Sequence, residues 1–182
     1  MANSMALSKN LEFWHWYPEM LVKGLTPEQL AWQPEQHDTS IIFALWHAYR
    51  AGDEIVHGMV MQRPSVFTSQ NWSERLPVDV TGVTPFGNGL PRERIGAIRL
   101  DIDAVLAYAK AVGESEIAYL DSVSDAEAAI EIKLPFFTGV YRGVDVMSKA
   151  ETIAFFAIGH TSEHLGEVQF IKGLMGMKGA PL

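Results

Sequence analysis

The sequence predicts an all-α fold, a four-helix bundle with long crossover connections. Three observations predict it. Four segments carry apolar residues at helical spacing, the stretches between them are rich in proline and glycine, and strand-like alternation is confined to one short region.

The first helix runs from about Ser8 to Lys23 and stops at Gly24. LTPEQLAWQPEQHDTS follows, broken by Pro27 and Pro34, and reads as a long connection ending in a polar cap at Asp38, Thr39 or Ser40. The second helix extends from about Ile41 to Gln62, before Pro64. Residues 64–90, with the turn cluster TPFGNG, read as an extended crossover. A third helix opens at Pro91, a preferred first helical position, and continues to about Asp121. AIEIKLPFFTGVYRGVDV shows short alternating runs around a glycine, compatible with a small β-hairpin between helices three and four. Ser148-Lys149-Ala150-Glu151 forms a capping box for a fourth helix reaching about Leu174. At 182 residues, without repeats, the chain reads as a single domain, 1–182. Connections as long as the second and third are often functional, for instance as lids.

Composition excludes several classes of function. The absence of cysteine rules out disulfides, thiolate metal sites and a protein-borne thiol nucleophile. A formal net charge of -8 argues against broad binding to nucleic acid or an anionic membrane, since both need a basic surface. No apolar run approaches the roughly 18 residues needed to cross a bilayer. The N-terminal MANSMALSKN lacks the order of a signal peptide, so the expectation is a cytoplasmic protein.

The chemistry concentrates in HTSEH, residues 160–164. On a helix His160 and His164 share one face about a turn apart, together with Ile153, Phe156, Ala157, Val168, Ile171, Leu174 and Met175. Both imidazoles are therefore expected to point inward, where each polar nitrogen needs a partner. A shared divalent ion satisfies both; carboxylates or backbone carbonyls are the alternative partners. HTSEH also fits the H-x-x-E-H pattern of inverted zinc proteases. Those enzymes need a distant glutamate ligand and a large α/β architecture, so that reading is set aside.

A third ligand would come from His15, His37, His47 or His57. His37 lies in the proline-bounded loop and reads as solvated, and His57, beside Gly58, reads as a surface residue. His15 sits in FWHWY on a helix that could aim it inward. His47 shares a face with Phe43 and with Ser40, Ala44, Ala51 and Gly58, small residues that permit close helix approach. The opposite face of that helix, Ile42, Leu45, Tyr49, Val56 and Met59, is apolar as well. The second helix therefore has no wet side, and is either central or covered by a partner, for which a homodimer is the economical expectation.

Two blocks resemble a known family. LTPEQLAWQPEQHDTSIIFALWHAYRAGDE and GHTSEHLGEVQFIKGLMG, in this order and with a long crossover before the third helix, are similar to the DinB-like (DinB/YfiT-like) superfamily. The resemblance implies a four-helix bundle with a metal site at one end, whose ligands would be His47, His160 and His164. It also implies a dimer and an ion such as nickel or zinc. Some relatives are thiol-dependent transferases or isomerases, and others have no assigned reaction.

Three neutral imidazoles would leave an open coordination position, as catalytic sites do. Nitrogen ligands suit zinc, nickel, copper or iron. Bound there, a water or a thiol would lose its proton more easily. Because the chain lacks cysteine, an external low-molecular-weight thiol is a natural nucleophile, acting on a small-molecule substrate. Glu167, three residues after His164, is the best candidate to orient an imidazole or accept a proton. Glu163, Asp53 and Glu54 are further candidates, each with the alternative of a surface charge or a pair with Arg50 or Lys172. Trp14, Trp16, Trp46 and Tyr49 could line a pocket or be core. The two functional expectations are a metal-dependent enzyme, a transferase or hydrolase, and a non-catalytic helical interaction module with structural histidines.

Overall fold

The computed structural model of the protein describes residues 2–35, 37–137 and 145–179, with side chains from residue 6 onward. It is mostly helical. Helix α1 (Ala2–Val22) starts earlier than the periodicity suggests and ends just before Gly24, whose φ of 79° glycine adopts without a Cβ clash. Inside the expected long connection lies a short helix, α2 (Pro27–Ala31). Thr26 caps it by accepting from the Gln29 N–H, and Gln29 accepts from the Thr26 N–H in return.

Helix α3 (Ile41–Ile55) begins under Ser40, whose hydroxyl accepts from the Phe43 N–H, and continues into a π-helical turn, Val56–Val60. Every α3 residue except Glu54 is buried. Its covering comes from its own chain, mainly from residues 154–174, with residues 102–122, α2 and residues 66–69. Intrachain packing thus accounts for the missing wet side of this helix.

The crossover is less open than it reads. It holds α4 (Val66–Ser69) and a 3-10 turn at Trp72–Glu74, and it sends Val66, Trp72, Leu76 and Leu90 into the core. Each such apolar side chain stabilises the fold by about 1.5–3 kcal/mol. The expected third helix is instead two, α5 (Arg92–Gly96) and α6 (Ile102–Ser122). Arg99 causes part of the break by donating to the carbonyls of Gly96 and Ile98, and Asp101 starts the new helix by accepting from the Asp103 N–H.

A short α7 (Asp125–Ala128) leads to β1 (Glu131–Lys133), which pairs antiparallel with β2 (Val146–Ser148), Ile132 facing Met147. The connecting part of the expected hairpin, 138–144, lies outside the described residues. Ser148 and Glu151 form the expected capping box of α8 (Lys149–Ile153). A π-helical stretch, Ala154–His160, follows, and α9 (Thr161–Leu174) continues from it. On this last unit Ile153, Phe156, Ala157, Val168 and Ile171 are buried as expected, whereas Leu174, on its final turn, is 48% exposed.

Helix α1 lies along α6 and touches α9, and α3 lies along α9. Where α3 meets the π-helical stretch Gly52 faces backbone: a Cβ there would stand 3.6 Å from the Phe156 carbonyl oxygen, in ordinary van der Waals contact. Lys172 ties α9 to α1 by donating to the Leu21 carbonyl at 2.6 Å rather than pairing with a carboxylate. Burial lowers its pKa. Among the described residues no helix is long and apolar enough to cross a membrane.

Candidate metal centre

The α3 contact brings His47 against the junction of the π-helical stretch and α9, where His160 and His164 stand. The three rings meet edge to face, with centroids 4.5 Å apart for His160 and His164, 4.7 Å for His47 and His164, and 5.2 Å for His47 and His160. Each residue offers a ligand atom within 4.8 Å of the others. His47 is buried, and the other two are partly so.

Hydrogen bonds fix two of the rings. His47 donates from Nδ1 to the Phe86 carbonyl at 2.6 Å, and His164 donates from Nδ1 to Glu167 Oε2 at 2.5 Å. In a neutral imidazole a proton on Nδ1 leaves Nε2 as a lone pair. His164 Nε2 lies 3.1 Å from His160 Nε2. The Nδ1 of His160 is buried and has no hydrogen-bond partner among the described residues. One ring can therefore donate at most one proton into a group that holds two acceptor nitrogens.

Electrostatics disfavour the charged form of His160 and His47. Burial, then the neighbouring His164 and His47, push the pKa of His160 down to about 3. Burial also lowers that of His47, opposed by its bond to Phe86. Protons are poor occupants of such a group, and an ion bound through lone pairs is a good one. Zinc holds imidazole nitrogens at about 2.0–2.1 Å, which in a tetrahedron sets them roughly 3.3 Å apart, close to the spacing of the His160 and His164 nitrogens.

A cavity of about 310 Å³ opens beside the group. His47, His164 and Glu167 line it together with apolar Phe43, Leu90 and Ile95 and with His37, Asp38, Thr39 and Asn88 at its polar side. Gly87, at φ 89°, belongs to this wall and lets loop 84–90 press onto α3: an added Cβ would lie 3.0 Å from the Trp46 ring and 3.1 Å from that of Phe43. Trp14, Trp16, Trp46 and Tyr49 do not line the cavity. Trp46 and Tyr49 are core, and Trp16 is 49% exposed.

The other candidates go elsewhere. His15 packs on Gly113 in the contact of α1 with α6, with its Nδ1 bonded to the Ala109 carbonyl. His57 is buried rather than on the surface, because Asp53 and Ser115 supply partners for both its nitrogens. Asp53 has no exposed surface and is committed to His57, Tyr108 and the amides of Val66 and Phe67, so it is not a base at the three-histidine group. Glu54 pairs with Arg50, and Glu163 is exposed. Exposed His37 stands at the cavity rim with its ring edge-on to Phe170. Sequence reasoning missed the Phe86 carbonyl, since a backbone acceptor leaves no trace in residue type.

A model of the DinB superfamily matches residues 19–168. The chain belongs to the DinB superfamily. Its fold is also that of a crystal structure titled as the conserved protein of a locus from Enterococcus faecalis. The two share 18% sequence identity, with a TM-score of 0.71 over 93% of this chain and 97% of that one. No curated protein matches the chain. Within this DinB superfamily member, the matched region contains His47, His160 and His164 together.

Proposed function

We propose that this DinB superfamily protein is a divalent-metal protein in which a four-helix bundle presents His47, His160 and His164 to one ion, zinc or nickel. The observation that carries this reading is the fixed proton placement. Phe86 and Glu167 hold the Nδ1 protons of His47 and His164, which leaves two lone pairs in a group able to supply one proton. An electrophile of charge +2 resolves that deficit.

The function proposed is that of a metal-dependent enzyme, a transferase or hydrolase acting on a small molecule. The cavity supports it, because an open coordination position beside His47 and His164 would face solvent-accessible space rather than packed core. The bound ion would supply Lewis acidity and ease deprotonation of a ligated water or thiol. The chain's own groups divide the remaining work. Glu167 orients His164, the Phe86 carbonyl orients His47, and Phe43, Leu90 and Ile95 give the cavity its apolar wall. A low-molecular-weight thiol is the proposed nucleophile, since the chain has no cysteine of its own. The reading includes a homodimer, for which exposed Phe170 and Leu174 on α9 offer an apolar surface.

Cobalt substitution tests the centre and its open position together. The reading expects visible absorption of a four-coordinate cobalt ion and a new sulfur-to-metal band on titration with 2-mercaptoethanol. Cobalt uptake with no response to thiol would favour a non-catalytic module with structural histidines.

A further inference from the structure

Away from the three-histidine group, a second set of polar side chains joins α3 to α6 and forms a directed chain. The buried Asp53 carboxylate accepts from the amides of Val66 and Phe67, at 2.8 Å each, and from the Tyr108 hydroxyl at 2.6 Å. Burial opposes its charge, yet the bonds from His57 and Tyr108 outweigh that and hold its pKa below the usual carboxylate value. Nδ1 of His57 lies 2.9 Å from Asp53 Oδ1 and 3.1 Å from the Asp53 carbonyl oxygen. Both neighbours are acceptors, so Nδ1 carries the proton and Nε2 of the neutral ring is a lone pair. Ser115 Oγ stands 2.8 Å from that Nε2, in position to donate to it when the ring is neutral. Arg63 Nη2 in turn donates to Ser115 Oγ at 2.6 Å. The bonds thus run one way, from the Arg63 cation through Ser115 and His57 to the Asp53 anion.

The backbone around this chain is irregular where it matters. His57 sits on the π-helical turn, a feature frequent at functional sites. Gln62 takes a φ of 54°, a left-handed conformation that side-chain-bearing residues seldom adopt. It turns the chain so that the Arg63 N–H bonds the His57 carbonyl and the exposed Arg63 side chain folds back over half-buried Ser115.

We propose that Ser115 is a nucleophile, His57 its general base and Asp53 the residue that positions His57, together forming an acyl-transfer site for small carboxylic esters. Ser115 Oγ bonds to the ester carbonyl carbon, its proton passes to His57 Nε2, and the carbonyl electron pair moves to oxygen, where Arg63 stabilises it. As the carbonyl re-forms, the alcohol leaves with the proton from His57. Water then attacks the acyl-Ser115 carbonyl and gives a proton to His57. The carboxylic acid departs as Oγ recovers that proton. His57 and Asp53 are buried while Ser115 is partly open to solvent, so its hydroxyl is the member of the chain that a small ester can reach. The site is separate from the metal centre, and its chemistry needs no ion.

The test uses the full chain treated with EDTA, incubated with a fluorophosphonate probe and with p-nitrophenyl acetate, with adducts mapped by mass spectrometry. The proposal expects a single adduct on Ser115, absent in Ser115→Ala, and an ester-hydrolysis rate that falls about 100-fold in His57→Gln. Circular dichroism of Ser115→Ala, a conservative change at a half-buried position, verifies its fold. Should His57→Gln not fold, the Ser115 adduct and its loss in Ser115→Ala decide alone. Absence of an adduct on Ser115 in folded protein, or equal hydrolysis by Ser115→Ala, overturns the proposal.

Discussion

His164 reaches two partners at once: Nδ1 holds the Glu167 carboxylate at 2.5 Å while Nε2 faces His160 Nε2 at 3.1 Å. One helical turn therefore carries a candidate ligand and the residue that sets its tautomer. Glu167→Gln keeps a hydrogen-bond acceptor but loses the charge. Metal affinity, read by competition with a chromophoric chelator, is expected to fall about 10- to 100-fold with the helical content unchanged. Unchanged affinity would remove Glu167 from the account.

The metal-free protein should respond to acid through His160. Its folded pKa of about 3 lies below the ordinary 6.5, so protonation favours the unfolded chain. The resulting stability is present above pH 6.5 and is lost as pH falls from 6.5 toward 3. By pH 5 the loss reaches about 2 kcal/mol. Asp53, whose folded pKa is depressed, adds a loss of the same sign at lower pH. Urea unfolding at pH 7 and pH 5 separates the His160 part, because His160→Gln is expected to make the dependence shallower in that window while leaving the part from His47, whose pKa burial also lowers. An equally steep dependence in the variant would contradict it.

Much of this arrangement is legible in the sequence, and the exceptions have physical causes. The spacing of His160 and His164 and the capping box at Ser148 depend on local geometry, which residue order encodes. Arg99 ends α5 through its own side-chain bonds to nearby carbonyls, a competition that periodicity does not register. His57 reads as a surface residue because the partners that make its burial affordable, Asp53 and Ser115, lie on two different helices. The resemblance to DinB-like proteins supplied His47 as third ligand, whereas residue spacing alone left His15 equally open.

Gly87 should be intolerant of a side chain. Its φ of 89° and the rings of Trp46 and Phe43 leave no place for a Cβ. Gly87→Ala is expected to cost about 1–3 kcal/mol in urea unfolding and, by displacing the neighbouring Phe86 carbonyl, to weaken metal binding as well. A variant as stable as the parent would show that the loop wall is not held in this way.

Tyr108 anchors the Asp53 network from α6. Tyr108→Phe removes one bond to a buried charge and should destabilise the fold by about 1.5–3 kcal/mol, while leaving metal stoichiometry untouched. Loss of metal in this variant would mean that the two polar groups are coupled.

The central claim is that His47, His160 and His164 share one ion. Elemental analysis of protein purified without a histidine tag, beside His47→Ala, His160→Ala and His164→Ala, tests it most directly. The account predicts about one zinc or nickel per chain in the parent and loss of that ion in each variant, with helical circular dichroism retained. A parent that takes up no divalent metal, or a variant that keeps full stoichiometry, would contradict it.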